Sequence, residues 1–386
     1  MKLRFQLAFF TAIRTVFNTT YRMAYPFLGV FARGLGVDIT TISLVVSSRA
    51  FVGIFAPFVS SISDQRGRKF GMLVGIAIFT LAVGLVAFHP SLVTLTIALI
   101  FALIGKYLFD PAMQAYLGDR VPYERRGLAL SATEMGWSLA FIAGIPLMGF
   151  LIARFGWSAP FPLLTALGFG MFAIIWWMIP REDPHHEAAA SPWSNFRTVL
   201  TNGTALAGIS IALWASAANE MVNLIFGVWL EDRFALKIAA LGAASASIGT
   251  SELSGEGLVT LFTDKLGKPR ALALGLSASA ISSVVLPFLG RSEVGALIGL
   301  FFFYITYEFV MVSHVPMMTE ILPGARATLM SFNLTGHSIG RGIGTLLATF
   351  VYQSFGFPVV AGLAMLFNLI GLLALRRLSK NQSGAT

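Results

Sequence analysis

Long apolar runs separated by short polar breaks make up most of the sequence. Each run approaches the about 20 residues that an α-helix needs to cross the roughly 30 Å hydrocarbon core of a bilayer. Because charged residues or Pro and Gly bound each run, the pattern predicts twelve transmembrane helices. Their predicted spans are 5–32, 40–62, 71–88, 91–118, 127–153, 157–179, 203–230, 238–262, 271–289, 294–319, 326–353 and 357–376.

The composition supports an all-α membrane protein. Of the 386 residues, 56% are hydrophobic and only 12% are charged, whereas a soluble domain carries about 25% charged residues. The formal net charge of +9 fits cations at membrane-facing loops better than a nucleic-acid surface, and we expect no nucleic-acid partner. The sequence contains no cysteine, which excludes disulfide bonds and Cys-based metal or redox sites.

Lysine and arginine residues concentrate in alternate loops, and this predicts the orientation of the chain. If both termini are cytoplasmic, the outer loops hold only Arg33, Arg154, Arg233, Lys237 and Arg291. Most of the other cations then lie on the cytoplasmic side. The bias favours an even number of spans, and we expect an integral protein of a prokaryotic inner membrane with both termini in the cytoplasm.

A polar stretch in the middle of the chain divides the predicted helices into two sets of six. It contains His185 and His186, but no further potential ligand lies nearby, so we interpret it as a solvated linker rather than a metal site. The predicted domains are an N-terminal six-helix bundle (1–180), a cytoplasmic linker (181–202), a C-terminal six-helix bundle (203–379) and a cytoplasmic tail (380–386).

Similar residues recur 200 positions apart, which indicates an internal duplication. Two charged turns follow the second and eighth runs; the first contains Asp64, Gly67, Arg68 and Lys69, and the other contains Asp264, Gly267 and Lys268. The fifth and eleventh runs also match at this offset, since Gly136 and Gly144 correspond to Gly336 and Gly344. The two halves are therefore expected to share one architecture.

The first charged turn resembles the signature loop of the major facilitator superfamily, G-x-L-a-D-R-x-G-R-[KR]. Asp64, Gly67, Arg68 and Lys69 match this pattern; Ser60, Ile62 and Gln65 depart from it. The resemblance extends over essentially the whole chain. It implies two pseudo-symmetric six-helix bundles and a transporter rather than an enzyme, and the sequence shows no nucleophile–base pattern or phosphate-binding loop.

The resemblance also implies a role for the charged turns. In the family this loop is a cytoplasmic latch, whose acid and cations bridge to helix ends of the other half and hold the outward-facing state closed. Asp64 and Arg68 can make charge-assisted hydrogen bonds that must break as the halves rock. The alternative is a turn that only orients the chain; we favour the latch because Asp64 adds nothing to orientation.

The fifth run partly resembles the Gly/Pro pattern of antiporters. Gly136, Gly144, Pro146 and Gly149 match it, whereas Ile145 separates the Gly-Pro pair. The pattern favours proton-coupled export of a small organic solute by alternating access. The alternative is proton-coupled uptake or movement of a lipid-like amphiphile.

Polar and charged residues interrupt several apolar runs. Such a residue inside the bilayer costs about 2.5–3.5 kcal/mol on insertion scales, so it is expected to line a wet pathway or to be paired. Many recur at i, i+4 spacing on one helix face. The predicted substrate and proton pathway comprises Arg14, Asn18, Arg22, Arg49, Lys106, Asp110 and Glu134 in the first half, and Asn219, Glu220, Asn223, Glu252, Glu256, Tyr304, Glu308, His337 and Arg341 in the second.

The two sets differ in sign: the first is mainly cationic and the second mainly acidic. Either ion pairs join the halves, or a bipolar cavity receives a zwitterionic or amphipathic solute. A carboxyl group in a partly dehydrated site can exchange a proton near neutral pH, so the proton is the expected coupling ion. The candidate coupling acids are Asp110, Glu220, Glu252, Glu256 and Glu308. Beyond the lipid bilayer and the solute we expect no cofactor, and we expect a monomer.

Overall fold

The computed structural model describes residues 3–55, 67–180, 192–322 and 325–383; most of these residues are helical, and none of them lies in a strand. Helices suit a membrane because each satisfies its own backbone hydrogen bonds in lipid. The helices are α1 (Leu3–Arg22), α2 (Leu28–Leu35), α3 (Ile39–Ile54), α4 (Arg68–Phe88), α5 (Leu92–Arg120), α6 (Tyr123–Leu139), α7 (Ile145–Phe155), α8 (Pro160–Met178), α9 (Pro192–Thr201), α10 (Gly203–Phe234), α11 (Ile238–Leu266), α12 (Lys268–Leu289), α13 (Glu293–Ile321), α14 (Arg326–Phe355) and α15 (Phe357–Ser383).

Among the described residues, eight helical segments are long and apolar enough to cross a membrane, or nine if α2 and α3 form one bent span. The eight are α4, α5, the segment from Ala129 to Phe155, α8, α10, α12, α13 and the part of α15 up to Leu378. The predicted runs that contain α1, α11 and α14 also form helices, but they are richer in polar residues. These are the helices that carry many of the predicted pathway residues.

The first predicted span, 5–32, is not one helix. Helix α1 ends at Arg22, residues 23–27 form turns, and α2 begins at Leu28. Pro26 explains the break, since proline lacks a backbone N–H and disfavours a helical residue before it. The apolar run predicted over 5–32 therefore contains two helices separated by turns next to Pro26.

A short π-helical turn, Ala140–Gly144, joins α6 to α7 within the predicted fifth span. Pro146 follows it at the start of α7 and cannot donate a backbone hydrogen bond. The same region is closely packed: a Cβ added at Gly144 would lie 1.9 Å from the Thr19 hydroxyl oxygen of α1. A π-turn at a tight helix contact is a common feature of functional regions.

The chain divides into two compact units. Unit 1 contains Met1–Glu187 and Leu236–Gly249, and unit 2 contains Ala188–Ala235 and Thr250–Thr386. The first part of α11 therefore belongs to unit 1, although the sequence placed all of α11 in the C-terminal bundle. Within the predicted linker, 181–202, the residues Pro192–Thr201 form helix α9.

Glycines at equivalent positions of the two halves have similar backbones. Gly67 and Gly267 have φ angles of 93° and 79°, and Gly156 and Gly356 have φ angles of 94° and 78°. Residues with a Cβ rarely adopt positive φ, so glycine is required at each of these turns. The matched geometry at an offset of 200 residues supports the predicted internal repeat.

Small residues allow α14 to approach α10 in unit 2. A Cβ at Gly340 would lie 2.0 Å from the Leu213 carbonyl oxygen, and one at Gly344 would lie 2.7 Å from the Glu220 Cβ. In membranes, close helix contacts of this kind replace the hydrophobic driving force that operates in water. The contact also holds Glu220 beside α14.

Gly340→Ala is expected to destabilise unit 2 by about 1–3 kcal/mol, because the added methyl group overpacks a helix–helix contact made with backbone. The control is Gly362→Ala, where no atom lies within 4 Å of the new Cβ. Thermal denaturation of both variants in lipid nanodiscs checks the prediction. Equal melting temperatures for the two variants would refute the tight contact.

Candidate functional site

Four predicted pathway residues of unit 1 form one network between α1, α5 and α6. Arg14 Nη2 donates a 2.9 Å hydrogen bond to Glu134 Oε2, and Arg14 Nη1 lies 2.6 Å from Glu134 Oε1. Arg14 Nε lies 3.3 Å from Asp110 Oδ1, and Lys106 Nζ pairs with Asp110 Oδ2 one helical turn away. Two cations therefore contact the two oxygens of Asp110.

Three of the four charged side chains in this network are largely buried, so each charge depends strongly on its partners. The side chains of Arg14, Lys106 and Asp110 are 5%, 12% and 12% exposed, whereas Glu134 is 45% exposed. Gln114 Nε2 donates to the more accessible Glu134 at 3.3 Å. Because buried charges are costly to leave unpaired, the pairs compensate one another within unit 1. Two of the predicted cations of the first half, Arg14 and Lys106, therefore have acidic partners in the same unit.

Arg22 and Arg49 are buried against aromatic rings and backbone carbonyls of unit 1. Arg22 Nη1 donates to the Trp137 carbonyl at 3.1 Å, and its guanidinium lies 3.7 Å from the Phe141 ring centroid. Arg49 Nη1 donates to the Tyr21 carbonyl at 2.6 Å. That carbonyl lies in the last turn of α1, where the helix dipole favours a cation. We interpret Arg49 as the cap of the broken first span.

Asn18 lies one turn from Arg14 and one turn from Arg22 on α1. It is fully buried, and its amide nitrogen and oxygen have no hydrogen-bond partner among the described residues. A buried amide without partners is unusual and costs free energy. Asn18 therefore remains a candidate pathway residue, as the sequence predicted.

In unit 2 a hydrogen-bonded chain ends at a buried carboxyl group. Tyr304 Oη donates to Asn223 Oδ1 at 2.7 Å, which directs the Asn223 Nδ2 toward Glu220 Oε2 at 3.4 Å. Glu220 is 2% exposed. In the described part of the chain no cation lies within ion-pair distance of it. Glu220 is thus a buried acid hydrogen-bonded to an amide, whereas Asp110 is a buried acid that contacts two cations.

A second chain of hydrogen bonds runs beside Glu220. Ser216 Oγ lies 2.7 Å from His337 Nδ1, and Asn333 Nδ2 lies 3.4 Å from His337 Nε2. Tyr307, which precedes Glu308 on α13, is 7% exposed. Helices α10, α13 and α14 thus bring most of the predicted polar residues of unit 2 into one cluster.

Four predicted residues of unit 2 are described by their burial and packing: Glu252, Glu256, Glu308 and Asn219. Glu252 and Glu308 are 2% and 8% exposed, and Glu256 is partly buried one turn after Glu252. A Cβ at Gly255 would lie 2.8 Å from the Glu308 Cβ, so α11 approaches α13 beside Glu308. Asn219, next to Glu220, is 8% exposed and its Oδ1 has no described partner.

The charged turns are described in part. Asp64 lies outside the described residues, and no side-chain contact is described for Asp264. Arg68 Nε lies 3.7 Å from Asp119 Oδ2, and Lys69 Nζ donates to the Trp176 carbonyl at 2.7 Å. These two partners belong to unit 1, like the cations themselves. The latch contacts that the resemblance implies stay a prediction.

The second turn repeats this arrangement. Lys268, at the start of α12, pairs with Glu320 at the end of α13, just as Arg68 at the start of α4 pairs with Asp119 near the end of α5. Both acids are more than 60% exposed. Exposed ion pairs of this kind contribute roughly 0–1 kcal/mol, so they can break and form readily.

Two residues that complete the cluster of unit 2 were not among the predicted pathway residues: Ser216 and Asn333. A signal was present for both, because Ser216 precedes Glu220 by four residues and Asn333 precedes His337 by four. Both therefore share a helix face with a predicted residue.

The long apolar helices define an integral membrane protein, and several of its buried charged side chains are paired within the helices. The family model described as Major Facilitator Superfamily matches residues 9–313 and 209–385. The chain belongs to the major facilitator superfamily and is a transporter, not an enzyme.

Relatives and a solved structure agree with this family. YceJ of Bacillus subtilis (strain 168), an uncharacterised MFS-type transporter, is 24% identical over 374 residues, which cover 96% of this chain and 95% of YceJ. The multidrug resistance protein MdtG of Dickeya zeae (strain Ech586) is 25% identical, with coverage of 95% and 93%. A bacterial homologue of the human lysosomal transporter Spinster, crystallised inward-facing and unoccupied, matches at a TM-score of 0.79 and 15% identity, covering 98% of both chains. The last match shows the shared fold.

Proposed function

We propose that this protein is a secondary active transporter of a bacterial inner membrane that exports a small organic solute in exchange for protons. The proposal includes twelve spans in two six-helix bundles with cytoplasmic termini, and transport by alternating access. The match to the multidrug resistance protein MdtG along nearly the whole chain favours export over uptake.

The observation that carries proton coupling is the environment of Glu220. Its carboxyl group is buried in the longest apolar helix, and its described hydrogen-bond partner is the amide of Asn223 rather than a cation. A carboxylate at this depth without a counterion is costly, and binding a proton removes the charge. We therefore expect the Glu220 carboxyl group to bind a proton in one state of the transport cycle. It releases the proton in another state, when a competing interaction stabilises the carboxylate.

The environment of Asp110 suits a structural role rather than proton coupling. Both of its oxygens contact cations, Lys106 and Arg14, and Arg14 is in turn held by Glu134. The charge of Asp110 is compensated in place, so losing it would leave two buried cations exposed to an apolar environment. We assign Asp110 a structural role in unit 1 and Glu220 the role in proton coupling. Among the five candidate acids, this excludes Asp110 and favours Glu220.

The test uses purified protein in proteoliposomes with an imposed pH gradient and four probes: ethidium, glucose, benzoate and a lysophosphatidylcholine. Thermal stabilisation in nanodiscs first selects the probe that binds. The proposal expects that probe to accumulate against its gradient on the side from which protons leave, and a protonophore to abolish the accumulation. Movement that follows only the probe's own gradient, unaffected by the protonophore, would contradict proton coupling.

A further inference from the structure

A buried hydrogen-bond chain connects α13 to the carboxyl group of Glu220. Tyr304 Oη donates to Asn223 Oδ1 at 2.7 Å, and Asn223 Nδ2 donates to Glu220 Oε2 at 3.4 Å. The three residues, in this order, are 1%, 6% and 2% exposed. The Asn223 amide therefore links a hydroxyl group of one helix to the acid that the proposed function assigns to proton coupling.

The direction of this chain matches an ionised Glu220. A carboxylate only accepts hydrogen bonds, so Asn223 must present its Nδ2 donor to it. The Asn223 oxygen then faces α13, where the Tyr304 hydroxyl proton satisfies it. A reversed amide would place its oxygen against a carboxylate oxygen, with no hydrogen between the two acceptors. Because a hydrogen bond to an ionised acceptor is roughly twice as strong as one to a neutral acceptor, the described arrangement stabilises the carboxylate more than the acid.

Packing fixes both ends of the chain and leaves the amide as its movable part. The Tyr304 ring packs edge-to-face against Phe226 and Phe303, with ring centroids 6.4 and 5.4 Å apart. On the other side, α14 approaches Glu220 so closely that a Cβ at Gly344 would lie 2.7 Å from the Glu220 Cβ. The terminal torsion of asparagine has a broad, roughly two-fold preference. A half-turn of the Asn223 amide only exchanges its nitrogen with its oxygen, so it requires no movement of either helix.

We propose that the Asn223 amide, oriented by Tyr304, is the competing interaction that releases the proton from Glu220. This inference rests on the proposed function, because it needs Glu220 to exchange a proton. After a half-turn, Asn223 Oδ1 accepts a hydrogen bond from the O–H of the protonated acid. On release that O–H bond breaks, the proton passes to water, and Nδ2 turns back to donate to the carboxylate. Tyr304 and Asn223 are positioning residues, since neither takes up the proton.

Titratable and charged side chains of the neighbouring helices surround this site. In their middle turns, α13 carries Tyr304, Tyr307, Glu308 and His314, α14 carries His337 and Arg341, and α15 has none between Phe357 and Leu375. The described hydrogen bonds connect Tyr304 to the partner of Glu220, whereas they connect His337 to Ser216 and Asn333. Tyr304→Phe leaves every charge of this set in place, so it isolates the effect of one hydroxyl group.

The first test measures the environment of the Asn223 amide and needs neither a substrate nor a gradient. The protein is labelled with ¹⁵N in its asparagine side chains and placed in nanodiscs, and the signal that Asn223→Leu removes belongs to Asn223. Tyr304→Phe keeps the packed ring but removes the donor to Oδ1, so we expect this signal to shift. An Asn223 signal that Tyr304→Phe leaves unchanged would overturn the inference.

Tyr116→Phe is the matched control for both tests. Tyr116 is fully buried in unit 1, and its hydroxyl group is also hydrogen-bonded to a side-chain amide, since it accepts from Gln6 Nε2 at 3.1 Å. The control therefore loses the same kind of hydrogen bond without touching the chain at Glu220. We expect it to leave the Asn223 signal unchanged; an equal shift in both variants would show a general change of the fold and overturn the inference.

The second test measures gradient-driven transport of the probe that binds among ethidium, glucose, benzoate and lysophosphatidylcholine. Tyr304→Phe is expected to lower transport by about three- to tenfold, the size expected for the loss of one hydrogen bond, and Tyr116→Phe by less than about twofold. Thermal stabilisation by the probe is expected to persist in both variants. In the Glu220→Gln background, Tyr304→Phe is expected to change transport by less than about twofold, because its effect is transmitted through Glu220.

The outcomes separate this inference from the proposed function. If Glu220→Gln is impaired and Tyr304→Phe transports normally, the inference alone is wrong. If Tyr304→Phe lowers transport by the same factor in both backgrounds, Tyr304 acts on the fold rather than through Glu220, and the inference is again overturned. Full gradient-driven transport by Glu220→Gln would overturn the proposed coupling role of Glu220 and the inference with it.

Discussion

Glu220→Gln is expected to lower transport driven by a pH gradient by about 100-fold or more, because glutamine keeps the shape of the side chain but cannot exchange a proton. Binding of the probe, measured as thermal stabilisation in nanodiscs, is expected to persist, since Asn223 can still hydrogen-bond to the glutamine oxygen. Transport in proteoliposomes with and without the gradient measures the effect.

The matched control for this variant is Glu293→Gln. Glu293 is an exposed acid in the first turn of α13, so its neutralisation removes the same charge from the same unit. Gradient-driven transport is expected to stay within about twofold of the unmodified protein, because exposed charges interact weakly. If Glu293→Gln and Glu220→Gln impair transport equally, the loss reflects net charge, and Glu220 has no special role.

Asp110→Asn is expected to destabilise the protein by about 3–5 kcal/mol, because it leaves Lys106 buried without a counterion and removes one of the two acids that hold Arg14. Reversible unfolding in mixed micelles, or melting in nanodiscs, measures the loss. Asp119→Asn is the control. It breaks an ion pair whose acid is 64% exposed, and we expect a cost below about 1 kcal/mol.

A double variant separates the loss of the pair from the creation of an unpaired charge. Lys106→Met with Asp110→Leu removes both partners and leaves Arg14 bound to Glu134. Since hydrophobic replacement of a buried ion pair is often neutral, this variant is expected to be more stable than Asp110→Asn. If the double variant is the less stable of the two, the pair itself contributes the stability, and the unpaired-charge explanation is wrong.

The helices could be predicted from the sequence because hydropathy and length are local properties. The predicted span 203–230 became α10, and 271–289 lies within α12, with ends that differ by a few residues. The pairing of Lys106 with Asp110 also follows from local spacing, since residues four apart share a helix face. The apolar run continues past Pro26, so hydropathy alone does not show where α1 ends.

Contacts between distant helices could not be predicted in the same way. Arg14 pairs with Glu134, 120 residues away, and no feature of either residue's sequence neighbourhood specifies the other. The sequence showed that charges lie within apolar runs and that each needs a partner. Which partner each obtains depends on the helix packing set by glycines such as Gly340 and Gly344. Asp110 and Glu220 were both candidate coupling acids, and the contact of Asp110 with Arg14 and that of Glu220 with Asn223 became visible only in the structure.

The central claim is that Glu220 exchanges a proton during the transport cycle. Infrared difference spectra of the protein in lipid nanodiscs, recorded with and without the probe that binds, test it most directly, with Glu220→Gln as the reference that identifies the band. The account predicts a carboxylic acid C=O band that changes when the probe binds and is absent from Glu220→Gln. Spectra in which no carboxylic acid band changes, or in which Glu220→Gln shows the same change, would contradict it.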